Sequence, residues 1–280
     1  MRFFSESLGL PDSAFCLLRD LIHEHTGLNY ETFNRDLLAE KLSPRVLACG
    51  FTSFLDYYYL LKYDEAGQEE WEYVMDALSV QETFFWREMD QIHALVNVLV
   101  PEYFANDPKV PLKIWSAASA SGEEPVTIAM ALNEAGWLKK APIEIYASDG
   151  SKSAIAKAKT GLYRERSFRN LDPSLKAKYF HPLGDNQWQV IPEIHSRIHW
   201  KMANLMAESQ IKYLANANII FCRNVFIYFS PKSIQKTVQL FHKNMPQIAY
   251  LCIAASESLL KLTNDFELQE IGGAFIYTKR

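Results

Sequence analysis

The sequence predicts an α/β protein in which a parallel sheet covered by helices follows a small helical domain. From about residue 112, short apolar runs alternate with helical stretches, which is typical of a parallel sheet. Before residue 79, apolar residues recur at helical spacing, as Phe15, Leu18 and Ile22 do. The chain of 280 residues is long enough for two domains. We therefore expect a helical domain over residues 1–78 and a sheet domain over residues 79–280.

The composition excludes several classes of protein. Apolar residues make up 49% and charged residues 22%, as in ordinary globular chains, so a disordered or fibrous protein is excluded. The net charge of -4 argues against a protein that coats nucleic acid, and we expect no nucleic-acid partner. No run approaches the roughly 18 apolar residues of a membrane span, so no membrane insertion is expected.

The cysteines indicate the compartment. All four are far apart and form no C-x-x-C pair, which favours neither a zinc cluster nor a disulfide framework. We therefore expect no metal site and a reducing, cytoplasmic location. The residues are Cys16, Cys49, Cys222 and Cys252.

The elements of the sheet domain can be predicted in order. Apolar runs predict strands at residues 112–118, 143–148, 217–222 and 248–254. Helices are expected at about residues 124–136, 151–160 and 231–244, the last one starting at a serine cap followed by proline. Residues 266–271 and 274–279 flank Gly272-Gly273 and predict a closing β-hairpin. Alternation of apolar and polar residues predicts a small β excursion at 181–200.

The helical domain has its own charge character. Residues 1–78 carry 6 Lys+Arg and 14 Asp+Glu, a net charge of -8, which leaves +4 for the remainder of the chain. Helix starts are predicted near residues 11–13, 29–32 and 52–53, where side-chain oxygens can accept from free backbone N–H groups.

The most informative candidate for a binding site is the segment IWSAASASGEEP at residues 114–125. Its small residues let the backbone approach a ligand, and the start of the following helix offers free N–H groups. The segment is not G-x-G-x-x-G, so a dinucleotide is disfavoured. An ordinary strand-to-helix turn is the alternative.

Asp149 is the second candidate, at the end of the second predicted strand and 27 positions after Gly122. An acidic residue at this place commonly accepts from both hydroxyls of a ribose. Asp149 could equally be the N-cap of the following helix.

Two further segments carry polar groups. Arg223, Asn224 and Tyr228 follow an apolar strand, where ligands of open α/β sheets bind, although they could instead satisfy loop backbone. Residues 81–88 join the helical and sheet parts. Their aromatic side chains could simply pack between domains, with Arg87 reaching solvent.

In this order, the four segments resemble the CheR-type chemotaxis receptor methyltransferases, which are protein-glutamate O-methyltransferases. TFFWRE at residues 83–88 is similar to the T-x-F-F-R-E motif of that family. The other matches are WSAASASGEEP at 115–125, ASD at 147–149 and CRNVFIYF at 222–229. Further landmarks lie at residues 161–163, 203–205 and 256–258, so the likeness extends over essentially the whole chain.

The resemblance implies a fold and a cofactor. The fold is a seven-stranded, Rossmann-like S-adenosylmethionine-dependent methyltransferase sheet with a small N-terminal all-helical domain and a short inserted β-subdomain near residues 181–200. The cofactor is S-adenosylmethionine, and the product is S-adenosylhomocysteine. Residue by residue, the likeness implies that the cofactor is bound by Gln81, Thr83, Arg87, Glu124, Asp149, Asn204, Leu205, Arg223 and Asn224.

The resemblance also implies roles within that set. Asp149 would bind the ribose, and Thr83 and Arg87 would close over the methionine end. Arg87 and Tyr228 would be catalytic, close to the transferred methyl group and the incoming carboxylate. Because a glutamate carboxylate is already ionised near pH 7, the reaction needs alignment and exclusion of water rather than a general base.

The implied activity is methylation of glutamate side chains in a chemoreceptor or related signalling protein by a monomeric enzyme. The chain departs from the family in two ways, since Gln81 replaces an asparagine and the N-terminal domain is acidic where a basic helix face meets acidic receptor helices. Four residues could still form a local positive face: Arg19, Arg35, Lys41 and Arg45.

Two alternatives stay open at this point. One is a methyltransferase of the same fold that acts on a different protein or a small carboxylate, which the acidic N-terminal domain motivates. The other is a non-catalytic signalling scaffold that binds the cofactor. Retention of Arg87 and Tyr228 counts against the scaffold.

Overall fold

A computed structural model describes residues 8–106 and 108–280. The N-terminal part is a bundle of helices, in which a 3-10 turn, Thr32–Asn34, precedes the second helix. The helices are α1 (Asp12–Thr26), α2 (Arg35–Ala48), α3 (Phe54–Tyr63) and α4 (Ala66–Leu78).

Local sequence explains where these helices lie and end. Phe15, Leu18 and Ile22 are buried on one face of α1, as their spacing predicts. Gly27 ends α1 in the left-handed region at φ 80°, and its N–H donates to the His23 carbonyl. Ser53 caps α3 by accepting from the Leu55 N–H at 3.1 Å.

A buried carboxylate joins three helices of the bundle. Glu70 on α4 accepts a two-pronged hydrogen bond from Arg45 on α2, at 2.9 and 2.7 Å, and one from the Tyr57 hydroxyl on α3, at 2.6 Å. Burial alone would raise the pKa of Glu70, but these hydrogen bonds outweigh it and hold that pKa below its ordinary value.

Nine further helices and ten strands make up the rest of the described chain. The helices are α5 (Asp90–Ala94), α6 (Val100–Ala105), α7 (Glu123–Glu134), α8 (Trp137–Lys140), α9 (Lys152–Thr160), α10 (Pro173–Tyr179), α11 (Pro192–His195), α12 (Glu208–Ala215) and α13 (Pro231–Asn244). A π-helical turn, Leu95–Leu99, joins α5 to α6. In residues 8–106 and 108–280, no helix is both long and apolar enough to cross a membrane.

The strands form two sheets. They are β1 (Leu112–Ala117), β2 (Ile143–Asp149), β3 (Leu162–Arg164), β4 (Phe180–Gly184), β5 (Gln187–Val190), β6 (Ile198–Met202), β7 (Ile219–Phe221), β8 (Tyr250–Cys252), β9 (Phe266–Ile271) and β10 (Ala274–Lys279).

Within the described residues, seven strands form the main sheet in the order β6-β2-β1-β7-β8-β10-β9. The first five are parallel, and β10 is antiparallel to both β8 and β9. The predicted α/β class and closing hairpin are therefore confirmed. Because β1, β2 and β7 are neighbours, their carboxyl ends meet at one edge of the sheet.

The predicted strands at 217–222 and 248–254 are longer than the observed β7 and β8. Ala217 and Ala254 are buried but lie outside the paired segments. Most residues of both runs are buried although Ile248 is exposed, and burial does not require pairing in a ladder.

The second sheet is small and antiparallel, in the order β3-β5-β4. The prediction of a β excursion at 181–200 is wrong at both ends, since this sheet begins at Leu162 and ends at Val190. Residues 198–200 belong to β6, which pairs with β2 in the main sheet. β6 is an edge strand of the main sheet, and an edge strand with one exposed face alternates apolar and polar residues. The alternation in the sequence therefore could not distinguish β6 from the strands of the small sheet.

Phe85 connects the segment before α5 to the small sheet. Its buried ring contacts the rings of Tyr163, Phe168 and Phe180, with centroid distances of 4.7, 5.2 and 4.9 Å. The Phe85 N–H donates to the Ser167 carbonyl at 2.8 Å. Residues 83–88 are thus fixed to the small sheet.

Glu70→Gln should lower the free energy of unfolding by about 2 kcal/mol, because a neutral amide cannot replace the charged acceptor of Arg45 and Tyr57. The folded-state pKa of Glu70 is depressed, so this stabilisation is present above its unfolded pKa. The difference between the two proteins should shrink as the pH falls below about 4.

Urea unfolding of both proteins between pH 3 and pH 8 measures this. Glu69→Gln changes the exposed neighbour on the same helix and should stay within about 0.5 kcal/mol of wild type. A loss that does not depend on pH would contradict the assignment of Glu70 as a charged hub.

Candidate active site

Two adjoining clefts open where β1, β2 and β7 end. The larger cleft has an empty volume of about 680 Å³ and the smaller cleft about 520 Å³. Both are lined by Val80, Ala118, Ala120 and Asn224, so they form one continuous depression.

Every predicted site residue lines one of these clefts. The larger cleft has Gln81, Asp149, Asn204, Leu205, Asn224 and Tyr228. The smaller cleft has Thr83, Arg87, Glu124, Arg223 and Asn224. The structure therefore brings together residues from five distant segments, whose individual roles stay predictions.

The loop after β1 adopts an unusual backbone. Ala118 and Ala120 have φ of 54° and 47°, in the left-handed region that side chains disfavour. Gly122, at φ 94°, precedes α7, and a Cβ there would lie 2.7 Å from the Trp200 ring. Glycine is needed at residue 122 for both reasons, and the loop brings backbone close to both clefts.

Asp149 holds this loop in place. Its Oδ2 accepts from the Ala120 N–H at 2.9 Å, and its Oδ1 accepts from the Ser151 N–H at 2.8 Å. The N-cap of α9 is Ser151, whose hydroxyl oxygen accepts from the Ala154 N–H, so the alternative of Asp149 as N-cap is wrong. Burial raises the pKa of Asp149, and the backbone donors partly offset that increase.

Arg223 is the most connected cation of the site. Its Nε donates to Glu124 Oε2 at 2.6 Å, and both side chains are almost fully buried. Its two terminal nitrogens donate to the carbonyls of Glu88, at 2.8 Å, and Arg87, at 2.9 Å. Ser116 on β1 donates to the other oxygen of Glu124. Arg223 and Glu124 therefore fix the position of the segment that carries Arg87.

Glu257 organises the loop after β7. Its carboxylate accepts from the backbone N–H groups of Asn224, Val225 and Ala254 at 3.1, 2.8 and 2.9 Å. Asn224 has φ of 60°, so these hydrogen bonds hold a disfavoured backbone conformation. Burial raises the pKa of Glu257. Sequence reasoning placed this glutamate among the landmarks at 256–258 but gave it no role.

Arg87 lies at the mouth of the smaller cleft, with about a quarter of its side chain exposed. Its guanidinium is 5.2 Å from the Phe84 ring and donates to the Glu82 carbonyl at 3.3 Å. Arg169 lies 3.7 Å from the same ring and pairs with the Glu82 carboxylate at 2.8 Å. This pairing lowers the pKa of Glu82.

The helical bundle supplies part of the wall of the larger cleft, which sequence reasoning missed. Thr26, Leu28 and Met75 all line it. No local pattern in residues 1–78 marks these positions, because their neighbours come from distant segments.

Hydrogen bonds attach the bundle to the sheet domain around this wall. His23 Nε2 lies 2.6 Å from the Ser230 hydroxyl, and Asn204 donates to the His25 carbonyl at 2.7 Å. Gln81 donates to the hydroxyls of Ser151 and Ser153 at 3.3 Å. The longer amide of Gln81 thus reaches the start of α9.

Ion pairs neutralise three of the four cations of the local positive face expected on the bundle, and Lys41 donates to a neutral carbonyl. Each of its four cations has a partner within the domain: Arg19 with Asp20, Arg35 with Asp12, Arg45 with Glu70, and Lys41 with the Leu78 carbonyl. The acidic character of residues 1–78 therefore extends to this surface.

Two family matches cover nearly the whole chain. Residues 81–274 match the CheR methyltransferase, SAM binding domain, and residues 13–79 match the CheR methyltransferase, all-alpha domain. The chain belongs to the CheR methyltransferase family. Its predicted fold, its activity as a methyltransferase and S-adenosylmethionine as its cofactor are thereby confirmed.

Curated relatives agree in length and name. The chain is 32% identical over 272 residues to chemotaxis protein methyltransferase 2 of Vibrio cholerae serotype O1, covering 96% of this chain and 94% of the relative. It is 29% identical over 276 residues to chemotaxis protein methyltransferase 1 of Pseudomonas aeruginosa, covering 96% and 99%.

Among solved structures, magnesium protoporphyrin IX methyltransferase from Synechocystis PCC 6803 with bound SAM is similar at 13% identity. The TM-score is 0.34, and the match covers 79% of this chain and 91% of that chain.

The clefts fit S-adenosylmethionine. Ser119 lines the smaller cleft, and its buried hydroxyl has no hydrogen-bond partner in the part of the chain that the structure describes. A bound ligand commonly satisfies such a group. The cofactor carries a ribose diol, a cationic sulfonium, an ammonium and a carboxylate, and the clefts offer carboxylate, amide and guanidinium groups to match them.

Glu257→Gln should weaken S-adenosylhomocysteine binding and lower the free energy of unfolding by about 1–3 kcal/mol. An amide keeps only one acceptor oxygen, so some backbone N–H groups of the loop that carries Asn224 lose their partner. Calorimetric titration and urea unfolding measure the two effects. Glu270→Gln, on the exposed strand β9, is the matched control and should change neither. Normal cofactor affinity in Glu257→Gln would refute its role in organising the loop.

Proposed function

We propose that this chain transfers the methyl group of S-adenosylmethionine to glutamate side chains of a chemoreceptor, forming glutamate methyl ester. Membership of the CheR family supports the reaction, and the names of the curated relatives support chemotaxis as its setting. The observation that carries the proposal is that Arg87 and Tyr228 lie at the clefts that hold all predicted cofactor residues.

In this proposal the two clefts divide the cofactor between them. Asp149 in the larger cleft binds the ribose, and Asn204, Leu205 and Asn224 complete the same cleft. Thr83 and Arg87 bind the methionine end from the smaller cleft. Glu124 and Arg223 act as positioning residues, because their charged atoms bind each other and the backbone of residues 87–88.

The chemistry follows from charge and position. The cofactor, when bound, supplies a methyl group on a sulfonium leaving group. The acceptor carboxylate is ionised near neutral pH, so the chain needs no general base. Arg87 attracts this carboxylate from the smaller cleft, and Tyr228, about a third exposed, contacts it from the larger cleft. Alignment of the reacting groups and exclusion of water supply the rate enhancement.

We also propose the division, compartment and oligomeric state of the enzyme. A boundary at residues 78/79 is supported by the end of α4 at Leu78 and by the two family matches, which meet between residues 79 and 81. The four free cysteines are compatible with a reducing cytoplasm. The working unit is a monomer, which sedimentation of the purified chain tests.

Two measurements test the proposed function. Calorimetry with S-adenosylmethionine and S-adenosylhomocysteine tests the cofactor site, and binding of both is expected. Incubation with methyl-labelled cofactor and purified cytoplasmic fragments of chemoreceptors then tests the acceptor. Base-labile label on the receptor fragment is the expected result. Label on another protein or a small carboxylate alone would replace the chemoreceptor as acceptor, and cofactor binding without any label would leave a scaffold.

Asp149→Ala should weaken S-adenosylmethionine binding by about 1.5–3 kcal/mol, since it removes a charged acceptor and releases the loop at Ala120. Calorimetric titration gives the affinity. Asp56→Ala removes an exposed carboxylate from α3 and should bind the cofactor as wild type does. If wild type, Asp149→Ala and Asp56→Ala all bind the cofactor with equal affinity, Asp149 does not contribute to the cofactor site.

Arg87→Ala should lower kcat by more than it lowers cofactor affinity, because Arg87 is proposed to contact the acceptor carboxylate as well as the cofactor. Steady-state rates with a receptor fragment, compared with calorimetric affinities, separate the two effects. Arg197→Ala, at an exposed position before β6, is the control. A loss confined to cofactor affinity would make Arg87 a binding residue only.

A further inference from the structure

One segment of the catalytic domain is strongly basic. Residues 151–180 carry 8 Lys+Arg and 2 Asp+Glu, a net charge of +6, in a chain with an overall charge of -4. The other 250 residues therefore carry -10. The segment folds as α9, β3, a 3-10 turn at Glu165–Phe168, and α10. The exposed side chains of Lys157, Arg164, Arg166 and Arg169 form what we call the basic strip.

The basic strip borders an open groove that is separate from the two clefts of the active site. Lys157, Arg164 and Arg166 line this groove, together with Gln187 of the small sheet. Its empty volume is about 870 Å³.

The strip is fixed to the active site. The Ser167 carbonyl accepts from the Phe85 N–H at 2.8 Å, and the Ser167 hydroxyl donates to Glu123 at the start of α7, also at 2.8 Å. Arg169 lies against Phe84, the ring that Arg87 also contacts. The strip therefore begins at the mouth of the smaller cleft and continues away from it along residues 164–169.

Arg169 is paired with Glu82, but the charges of Arg164 and Arg166 remain available to a partner. Among residues 8–106 and 108–280, neither Arg164 nor Arg166 has an ion-pair partner within 4.0 Å. Glu165, which lies between them in sequence, pairs with Lys176 at 2.8 Å instead. In the helical bundle, by contrast, Arg19, Arg35 and Arg45 each form an ion pair within the domain.

The rest of the surface restricts what this strip can bind. A polyanion such as nucleic acid would extend beyond residues 151–180, and the other 250 residues carry a net charge of -10. A short acidic segment of a protein would contact the strip alone, and the acidic bundle on the other side of the clefts would repel it from there.

We propose that the basic strip docks an acidic segment of the acceptor protein, next to the glutamate that enters the smaller cleft. This inference rests on the proposed function for the identity of the acceptor as a chemoreceptor. It assigns to residues 164–169 the electrostatic attraction that the neutralised cations of the bundle do not supply.

The test compares two double charge reversals in the full chain. Arg164→Glu/Arg166→Glu reverses the unpaired part of the strip. Lys139→Glu/Lys140→Glu makes the same change in net charge on α8, which precedes β2 at the opposite edge of the sheet. Binding of a purified cytoplasmic chemoreceptor fragment is measured by calorimetry with S-adenosylhomocysteine present, and methylation rates give KM and kcat.

We expect the strip variant to bind the receptor fragment about tenfold more weakly and to show a KM raised by a similar factor at low salt. Its kcat and its S-adenosylhomocysteine affinity should stay within about twofold of wild type. Raising the salt to about 0.3 M should remove most of the difference, because exposed charges are screened. Arg164→Gln/Arg166→Gln replaces the reversal if thermal unfolding shows that the reversed protein is misfolded.

Several results would overturn the docking proposal. One is that wild type and the strip variant bind the receptor fragment equally well, and another is that the α8 control loses as much affinity as the strip variant does. The proposal also fails if wild type does not bind the receptor fragment, or if a 20-nucleotide DNA competes for the strip as well as the receptor fragment does. A wild-type protein that binds the receptor through the strip but does not methylate it would refute the proposed function and leave the docking surface in place.

Discussion

A single guanidinium, that of Arg223, holds the active site in its shape. Arg223 follows the end of β7. Its guanidinium pairs with Glu124 at the start of α7 and donates to the carbonyls of Arg87 and Glu88. Because both charges are buried, neither can lose its partner without leaving an uncompensated charge. The order of the parallel strands makes this contact possible, since β1 and β7 are neighbours while the segments that follow them are about 100 residues apart in sequence.

Buried carboxylates stabilise two other parts of the site, the loops that follow β1 and β7. Asp149 accepts from the loop after β1, and Glu257 accepts from the loop after β7. Each one stabilises a residue in the left-handed region of backbone conformation. A reaction without proton transfer depends on the alignment of the reacting groups. In this site, the acidic groups stabilise the backbone conformation of the loops rather than exchange protons.

Local sequence predicted much of this structure and failed where distant contacts decide it. Gly272-Gly273 placed the closing hairpin, and Ser230-Pro231 placed the start of α13, because turn and cap chemistry is local. Four motifs identified residues that all line the clefts. The small sheet was misplaced because β3 pairs with a strand more than 20 residues later.

The role of Glu257 and the contribution of the bundle to the larger cleft were missed for a related reason. The partners of Glu257 are backbone N–H groups some 30 residues away, and backbone groups have no signature in a sequence. Charge counts over residues 1–78 showed an acidic domain, but only the structure shows that Arg19, Arg35 and Arg45 form ion pairs with carboxylates of the same domain.

The wall that the bundle gives to the larger cleft has a consequence for how this enzyme can change over evolution. Thr26 and Met75 face the same space as Asp149, and His25 and Asn204 join the two domains beside it. A helical domain that is a wall of the cofactor site cannot be exchanged between relatives as an independent cassette. Any drift in its helices alters the affinity of the catalytic domain for its cofactor, so the two domains must be inherited and adjusted together.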